Sequence, residues 1–392
     1  MKKLTFIIST AILLLVSVSG WSQSTSTDQN APAYPPSPQT VVGDKVETGF
    51  KLAGYATMEF EVEDGNANFS EMAFNPIFLW KKSDRLFFKS ELEVELKGVP
   101  GGGIEQGVNL EYADMNYKLN KYATLFAGKF LTPIGAFQER FHPDWINKSV
   151  NKPIGFGKNV NGLKRLQSGS EIGIGLRGGI PLNDAKMNYT VFVSNGAMID
   201  TTSGKLGFDN LVDNNNNKAI GGRVGFLPAS NSSLELGVSG YFAKAGDKGT
   251  RFSNTNASIF AADLTYVKLV SGFGKVDLRG QYQVMNVDDA SYFEGGNEMR
   301  FDNKTTAYYM QFAYQLPTLT DAPAWVNKLE LVTRYANLDV PDQTLWGADQ
   351  NRFTLGLNYW VNWNSVIKTG LDFVDTGDEN ETAFIVIFSM GF

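Results

Sequence analysis

The chain contains 392 residues, with no cysteine, a single histidine and a formal net charge of −6. The lack of cysteine excludes a disulfide framework, a thiolate metal site and a lipoprotein anchored through a cysteine. The acidic balance disfavours nucleic-acid binding, which requires a strongly basic surface. The 40 glycines and the 13% of aromatic residues are typical of an all-β protein.

The N-terminal segment, residues 1–23, has the pattern of a secretory signal peptide. Lys2 and Lys3 precede an apolar run over residues 4–18, which is shorter than the roughly 20 residues of a membrane-spanning helix. Without these two lysines, the 35 basic residues become 33 against 41 acidic ones, a net charge of about −8. Residues 24–48 are rich in Ser and Pro, which predicts an extended or disordered periplasmic leader.

From residue 49 to the end, short runs alternate between apolar and polar side chains. Val94 and Leu96, for example, alternate with Glu93 and Glu95. Alternation with a period of two and one apolar face is the pattern of a β-strand. It predicts sixteen strands, at residues 49–61, 71–82, 84–97, 106–118, 121–131, 169–180, 186–195, 218–228, 232–245, 256–269, 272–286, 304–316, 326–337, 350–361, 364–375 and 381–392.

The connections between these strands alternate in length. Those after even-numbered strands are mostly short, whereas those after odd-numbered strands are mostly long. Transmembrane barrels have short periplasmic turns and long external loops, and an even strand number leaves both termini on the periplasmic side. Tryptophans beside the short turns are expected to form a periplasmic aromatic girdle: Trp80, Trp325, Trp360 and Trp363. The sequence therefore predicts an outer-membrane β-barrel over residues 49–392.

The longest connection, residues 132–168, follows the fifth predicted strand and is therefore the third external loop. It is basic in an otherwise acidic chain, with a net charge of about +4. Its cations are Arg140, Lys148, Lys152, Lys158, Lys164 and Arg165, against Glu139 and Asp144. Lysine and arginine in a narrow pore raise the local occupancy of anions. Selectivity for anions and simple attachment of the loop to an acidic wall are both compatible with this pattern.

Two short motifs carry a family resemblance. The run from Gly128 to Gly135 (GKFLTPIG) and the run from Arg140 to Trp145 (RFHPDW) resemble the phosphate-selective outer-membrane porins, in the divergent form found in Bacteroidota. The closing strand, which ends on Phe392, is similar to the signal recognised by the outer-membrane assembly machinery. The resemblance implies a sixteen-stranded homotrimer with a basic constriction. As in general porins, the third external loop is then expected to fold into the barrel.

Alternation also assigns charged side chains to the lumen wall. The basic candidates are Lys89, Arg177, Arg223, Lys275, Arg279, Arg334, Arg352 and Lys368, and Glu91, Glu93 and Glu95 are acidic candidates that depart from a purely cationic pore. The alternative is that these cations pair across strands with acidic residues and only hold the shape of the barrel, the acids being Glu91, Glu93, Glu235, Asp277, Glu330 and Asp372.

The sequence thus favours a porin that passes small hydrophilic solutes, with a possible preference for anions or phosphate. The alternative is a structural or adhesion barrel without an open pore. A hydrolase built on His142 is disfavoured because the residue lies between Phe141 and Pro143, which suits a structural turn. We expect no catalytic residue, metal or cofactor. The expected partners are outer-membrane lipid and lipopolysaccharide, small solutes or anions, the assembly machinery and further copies of the chain.

Overall fold

A computed structural model describes residues 48–392, except 64, 100–101, 158–165, 201–202, 209, 230, 251, 289–291, 295, 300, 342–343, 345–347 and 378. The predicted signal peptide and all of the predicted leader except Thr48 lie outside the described residues. Within the described residues, no helix is long and apolar enough to cross a membrane.

The described chain forms twenty β-strands. They are β1 (Gly49–Glu63), β2 (Asn66–Lys81), β3 (Leu86–Val99), β4 (Gly103–Asn120), β5 (Ala123–Leu131), β6 (Ser170–Leu182), β7 (Ala185–Ser194), β8 (Met198–Ile199), β9 (Leu206–Gly207), β10 (Ala219–Leu227), β11 (Leu234–Lys244), β12 (Asn256–Val270), β13 (Gly274–Val287), β14 (Tyr292–Glu294), β15 (Asn297–Met299), β16 (Lys304–Gln315), β17 (Leu329–Asp339), β18 (Gln350–Asn362), β19 (Ser365–Asp375) and β20 (Asn380–Gly391). Sixteen of them pair antiparallel into a closed barrel. The pairs β8–β9 and β14–β15 form separate two-stranded sheets.

The barrel closes between its first and last strands. β1 pairs with β20 from Tyr55 opposite Gly391 to Glu63 opposite Ala383. Beyond the strand, the backbone N–H of Phe392 donates to the carbonyl of Gly54 at 2.9 Å, and the N–H of Gly54 donates back at 3.0 Å. Full closure leaves neither of these strands as an unpaired sheet edge.

All sixteen predicted strands are confirmed, and the main differences concern the first two external connections. Residues 62–70 and 98–105 were expected to form loops, but β2 begins at Asn66 and β4 begins at Gly103. The early residues of both strands are exposed. An apolar face ends where the lipid ends, whereas backbone pairing can continue into water. The hydrophobic pattern therefore predicted both strands to be shorter than they are.

The barrel wall has an apolar outer face and a polar inner face over most of its strands. On β18, Phe353, Leu355 and Leu357 are exposed on the outside, while Arg352 and Thr354 are buried inside. Every backbone group of a closed barrel can form its hydrogen bond within the wall. The apolar outer face can therefore lie in the hydrocarbon core of a membrane. This construction is that of bacterial outer-membrane barrels, with the short turns on the periplasmic side.

The described part of the third external connection, residues 132–157 and 166–169, folds into the barrel, as predicted. We call these residues the inward loop. It contains one π-helical turn, Phe137–Phe141. Apolar residues of the loop pack against lumen-facing aromatics of the wall: Phe137 and Phe156 both contact the ring of Tyr309 edge-on, at 5.8 and 5.3 Å between centroids. A hydrophobic core therefore lies inside the barrel, between the loop and β5–β17.

Candidate pore constriction

The inward loop is attached to β19 through a single lysine. The Nζ of Lys368 donates to three backbone carbonyls of the loop, those of Asp144 at 2.8 Å, Asn147 at 3.1 Å and Ser149 at 3.1 Å. Lys368 is 1% exposed. Three charge-assisted hydrogen bonds satisfy all the donors of an ammonium group. Lys368 therefore holds the backbone of the loop near the periplasmic end of the barrel.

Two of the predicted loop cations are engaged in ion pairs with the wall. Lys148 lies 2.8 Å from Glu330 on β17, and its Nζ also stands 4.6 Å from the centre of the Trp360 ring. Arg140 lies 2.8 Å from Glu235 on β11. Buried or half-buried pairs of this kind cancel the field that each cation would exert on a solute. Arg140 and Lys148 therefore attach the loop to the wall.

Arg334 on β17 joins the loop to the neighbouring wall. Its guanidinium donates to the carbonyl of Asn151 and the side-chain oxygen of Asn147 in the loop, and to the side-chain oxygen of Gln311 on β16. The guanidinium of Arg279 on β13 donates to the carbonyl of Ile146 at 3.3 Å. Two wall arginines thus bind loop oxygens, a use that the alternation of charges along a strand could not reveal.

The remaining basic wall candidates lie close to acidic groups or to the cavity below the loop. Arg223 contacts Asp263 and Glu235, Arg279 contacts Asp277, Arg352 contacts Asp372, and Lys89 and Arg177 share Asp114. Lys275 lines a cavity at the periplasmic end. Asp114 and Asp263 were not predicted as lumen-facing acids, although both follow the same alternation as their strand neighbours. The close pairs favour the interpretation that these cations support the shape of the barrel.

Carboxylates crowd the lumen face of β1–β4. We call this group the acidic wall, and it comprises Glu59, Glu61, Glu71, Glu91, Glu93, Glu95 and Glu111. Within it, Lys97 pairs with Glu95 at 2.7 Å. The partly exposed Lys152 of the loop faces the same wall. Burial opposes its charge, but the carboxylates of Asp144 and of the acidic wall outweigh burial and raise the pKa of Lys152.

A cavity of about 400 Å³ lies below the inward loop at the periplasmic end of the barrel. Its lining includes Phe141 and Trp145 from the loop and Trp360 and Trp363 from β18 and the following turn. Trp360 was expected in the lipid-facing girdle, and this prediction was wrong. Its indole N–H donates to Glu330 at 2.9 Å, so the ring faces the lumen. We call this space the periplasmic vestibule.

Three of the predicted loop cations, Lys158, Lys164 and Arg165, lie outside the described residues. The structure brings the other three, Arg140, Lys148 and Lys152, into the lumen. The acidic residues Glu59, Glu61, Glu71 and Glu111 were not among the sequence candidates. Tyr55, Thr57 and Glu59 alternate in β1, so the signal for a lumen-facing Glu59 was present in the sequence.

No protein-family profile and no curated protein matches the sequence. Solved structures match the fold. The anion-selective porin from Comamonas acidovorans aligns with a TM-score of 0.54 at 14% identity, over 88% of this chain and 100% of that porin. OmpF of Salmonella typhi, in complex with daunomycin, aligns with a TM-score of 0.56 at 12% identity, over 88% and 98%. The outer-membrane channel DcaP of Acinetobacter baumannii aligns with a TM-score of 0.52 at 11% identity, over 88% and 97%.

The chain has the sixteen-stranded porin fold. At these identities the likeness concerns the architecture and carries no substrate from the matched proteins to this one. The function is therefore argued from the lumen residues of this chain.

Proposed function

We propose that this protein is a porin that lets small hydrophilic solutes diffuse passively across the outer membrane. The observation that carries the proposal is a closed barrel of sixteen strands with a polar inner face, into which the inward loop folds. The hydrogen bonds and ion pairs of the loop reach side chains of β1, β4, β6, β11, β13 and β17–β19. The loop thus narrows the lumen of the barrel.

Some lumen side chains of β2 and β3 are in contact with water, although Asn75 and Glu91 of the same strands are buried. Glu71, Glu93 and Glu95 face the lumen and are partly exposed, in contrast with buried lumen residues such as Arg334 and Asp277 on the loop-covered side. A barrel of this strand number is wide enough to hold an aqueous channel. Solutes that pass beside the loop would be selected by size and by the charge of these walls.

A preference for anions or phosphate, the finer expectation from the sequence, depended on the basic loop. Arg140 and Lys148 are neutralised by Glu235 and Glu330, so they support attachment of the loop. An anion preference would then depend on Lys152 and on Lys158, Lys164 and Arg165.

The test of pore function is the conductance of the purified, refolded protein in a planar lipid bilayer. We expect stable steps of open current that scale with the number of inserted barrels. Folded protein is verified beforehand by its heat-dependent mobility in a detergent gel. A folded barrel without conductance would refute the proposal and favour the structural or adhesion barrel instead.

The assembly state remains a separate proposal. The expected homotrimer is tested by chemical cross-linking of the protein in native outer membranes and by the mass of the unheated species in detergent. Contacts with lipopolysaccharide and with the assembly machinery are expectations of the same kind. His142 is 7% exposed within the loop, a position that does not favour the contact with substrate that a general base requires.

A further inference from the structure

Two tryptophans form a corner in the lining of the periplasmic vestibule. The rings of Trp145 and Trp363 contact each other edge-on, with 6.2 Å between their centroids and 84° between their planes. Trp363 is 56% exposed and Trp145 is partly exposed. We call this pair the tryptophan corner. Two nearly perpendicular rings favour a rigid, flat solute, which can lie on one ring while its edge touches the other.

The other aromatic residues named in the vestibule each have a cation beside the ring. The guanidinium of Arg279 lies 4.1 Å from the ring centre of Phe141, and the amine of Lys148 lies 4.6 Å from that of Trp360. Such a cation is attracted by the negative face of the ring and covers that face. We therefore assign the solute to the tryptophan corner and not to these two rings.

Hydrogen-bonding groups line a different side of the vestibule. Glu235 faces it from β11 and Thr265 from β12, whereas Trp363 follows β18, and β13, β16 and β17 lie between these strands. Glu235 is paired with Arg140 of the inward loop at 2.8 Å. A guanidinium has several N–H donors and a carboxylate several acceptor positions, so an ion pair of this kind can still bind hydroxyl groups. Such a pair carries little net charge, which suits a neutral solute.

We propose that the periplasmic vestibule is a binding site for the ring of a neutral sugar. This inference rests on the proposed pore function and names a substrate class for it. A sugar ring with equatorial hydroxyls has flat C–H faces, which are attracted to the negative face of an aromatic ring, and a rim of hydroxyls for the polar side. The vestibule, at about 400 Å³, falls within the roughly 300–1,000 Å³ of small-molecule sites.

The experiment is the block of single-channel current by cellobiose, a disaccharide of two glucose rings with equatorial hydroxyls, added on both sides of the bilayer. We expect interruptions of the open current that become more frequent with concentration. Trp363→Ala should raise the concentration for half-maximal block at least about threefold, as expected for the loss of an aromatic contact. Trp363→Phe, which keeps a ring, should restore part of the block.

Two controls match the variant and the sugar. Trp80 is 49% exposed at the end of β2, outside the described lining of the vestibule, so Trp80→Ala should leave the block unchanged. Sorbitol has the hydroxyls of a hexose without the flat ring, so it should not interrupt the current at the same concentration. Each variant is first shown to be folded by its heat-dependent mobility in a detergent gel.

Sugar binding is also measured apart from conductance, as a change of tryptophan fluorescence in a detergent without a sugar head group. A conducting channel that shows neither block nor a fluorescence change with cellobiose would overturn the inference and keep the pore. Block that Trp363→Ala does not affect would also overturn it, as would block by inorganic phosphate and not by cellobiose. A folded barrel without any conductance would refute the pore function itself, so the two failures are distinguishable.

Discussion

Lys368→Met tests whether the inward loop is held by one buried ammonium group. The lysine donates to three loop carbonyls at 2.8–3.1 Å, and methionine has a similar length without any donor. A hydrogen bond to a charged group contributes about 1.5–3 kcal/mol. Methionine carries no charge, so the substitution leaves three buried carbonyl oxygens without a donor, at about 1–3 kcal/mol each. Because the variant also avoids the cost of burying an ammonium group, we take about 3–5 kcal/mol in total for docking of the loop.

A loss of this size raises the ratio of displaced to docked loop by more than about a hundredfold, at tenfold per 1.4 kcal/mol. We expect larger and noisier open-channel currents, and faster trypsin cleavage after Lys148. The control is Lys186→Met, which removes a lysine that donates to Ser232 at an exposed position in the barrel wall. If Lys368→Met keeps the conductance, noise and protease resistance of the unmodified chain, the loop is not held in this way.

Three further predictions concern the same loop. Glu330→Met should destabilise the barrel by about 3–5 kcal/mol by leaving Lys148 buried without its carboxylate, and adding Lys148→Met should restore much of the loss, as measured by denaturant unfolding in detergent. Gly135→Ala should loosen the loop and increase current noise, because φ is +69° there and a Cβ would lie 2.0 Å from the amide nitrogen of Gln281. For Lys152, whose pKa is raised, the stabilisation lost in Lys152→Met should be fully present below pH 10.5 and vanish as pH rises through the raised pKa; a constant difference across this range would contradict the electrostatic attachment.

The wall of the barrel was predictable because the membrane imposes a strict pattern on each strand. One face must suit lipid and the other must suit water, so alternation such as that of Phe353, Leu355 and Leu357 with Arg352 and Thr354 fixes the strand and its orientation. Where the membrane ends, the pattern ends too. The extension of β2 back to Asn66 could not be predicted for that reason, since a strand in water needs only its backbone partner.

Where the inward loop covers the wall, the alternation of apolar outer and polar inner side chains does not hold. On β20, Ile385 and Ile387 face the lumen and are buried, although lumen positions are ordinarily polar. They pack in one cluster with Val150 of the inward loop. Trp360 is a different case, since it continues the inner alternation of Arg352, Thr354 and Asn358 along β18 and donates to Glu330, and only its place beside a turn suggested the girdle. The alternation in a sequence predicts which face of a strand a side chain occupies. It does not predict which loop residues pack against that face.

The preference of the pore for anions or cations depends on which lumen charges are already paired. This pairing is a property of the folded chain and is not visible in the sequence. Lys148 and Glu330 are 182 residues apart, and Arg140 and Glu235 are 95 residues apart, so their pairing leaves no trace in local sequence. Counting loop cations therefore predicted an anion preference. A charged residue that binds another part of the chain stabilises the constriction, whereas a charge without such a partner remains available to act on the solute.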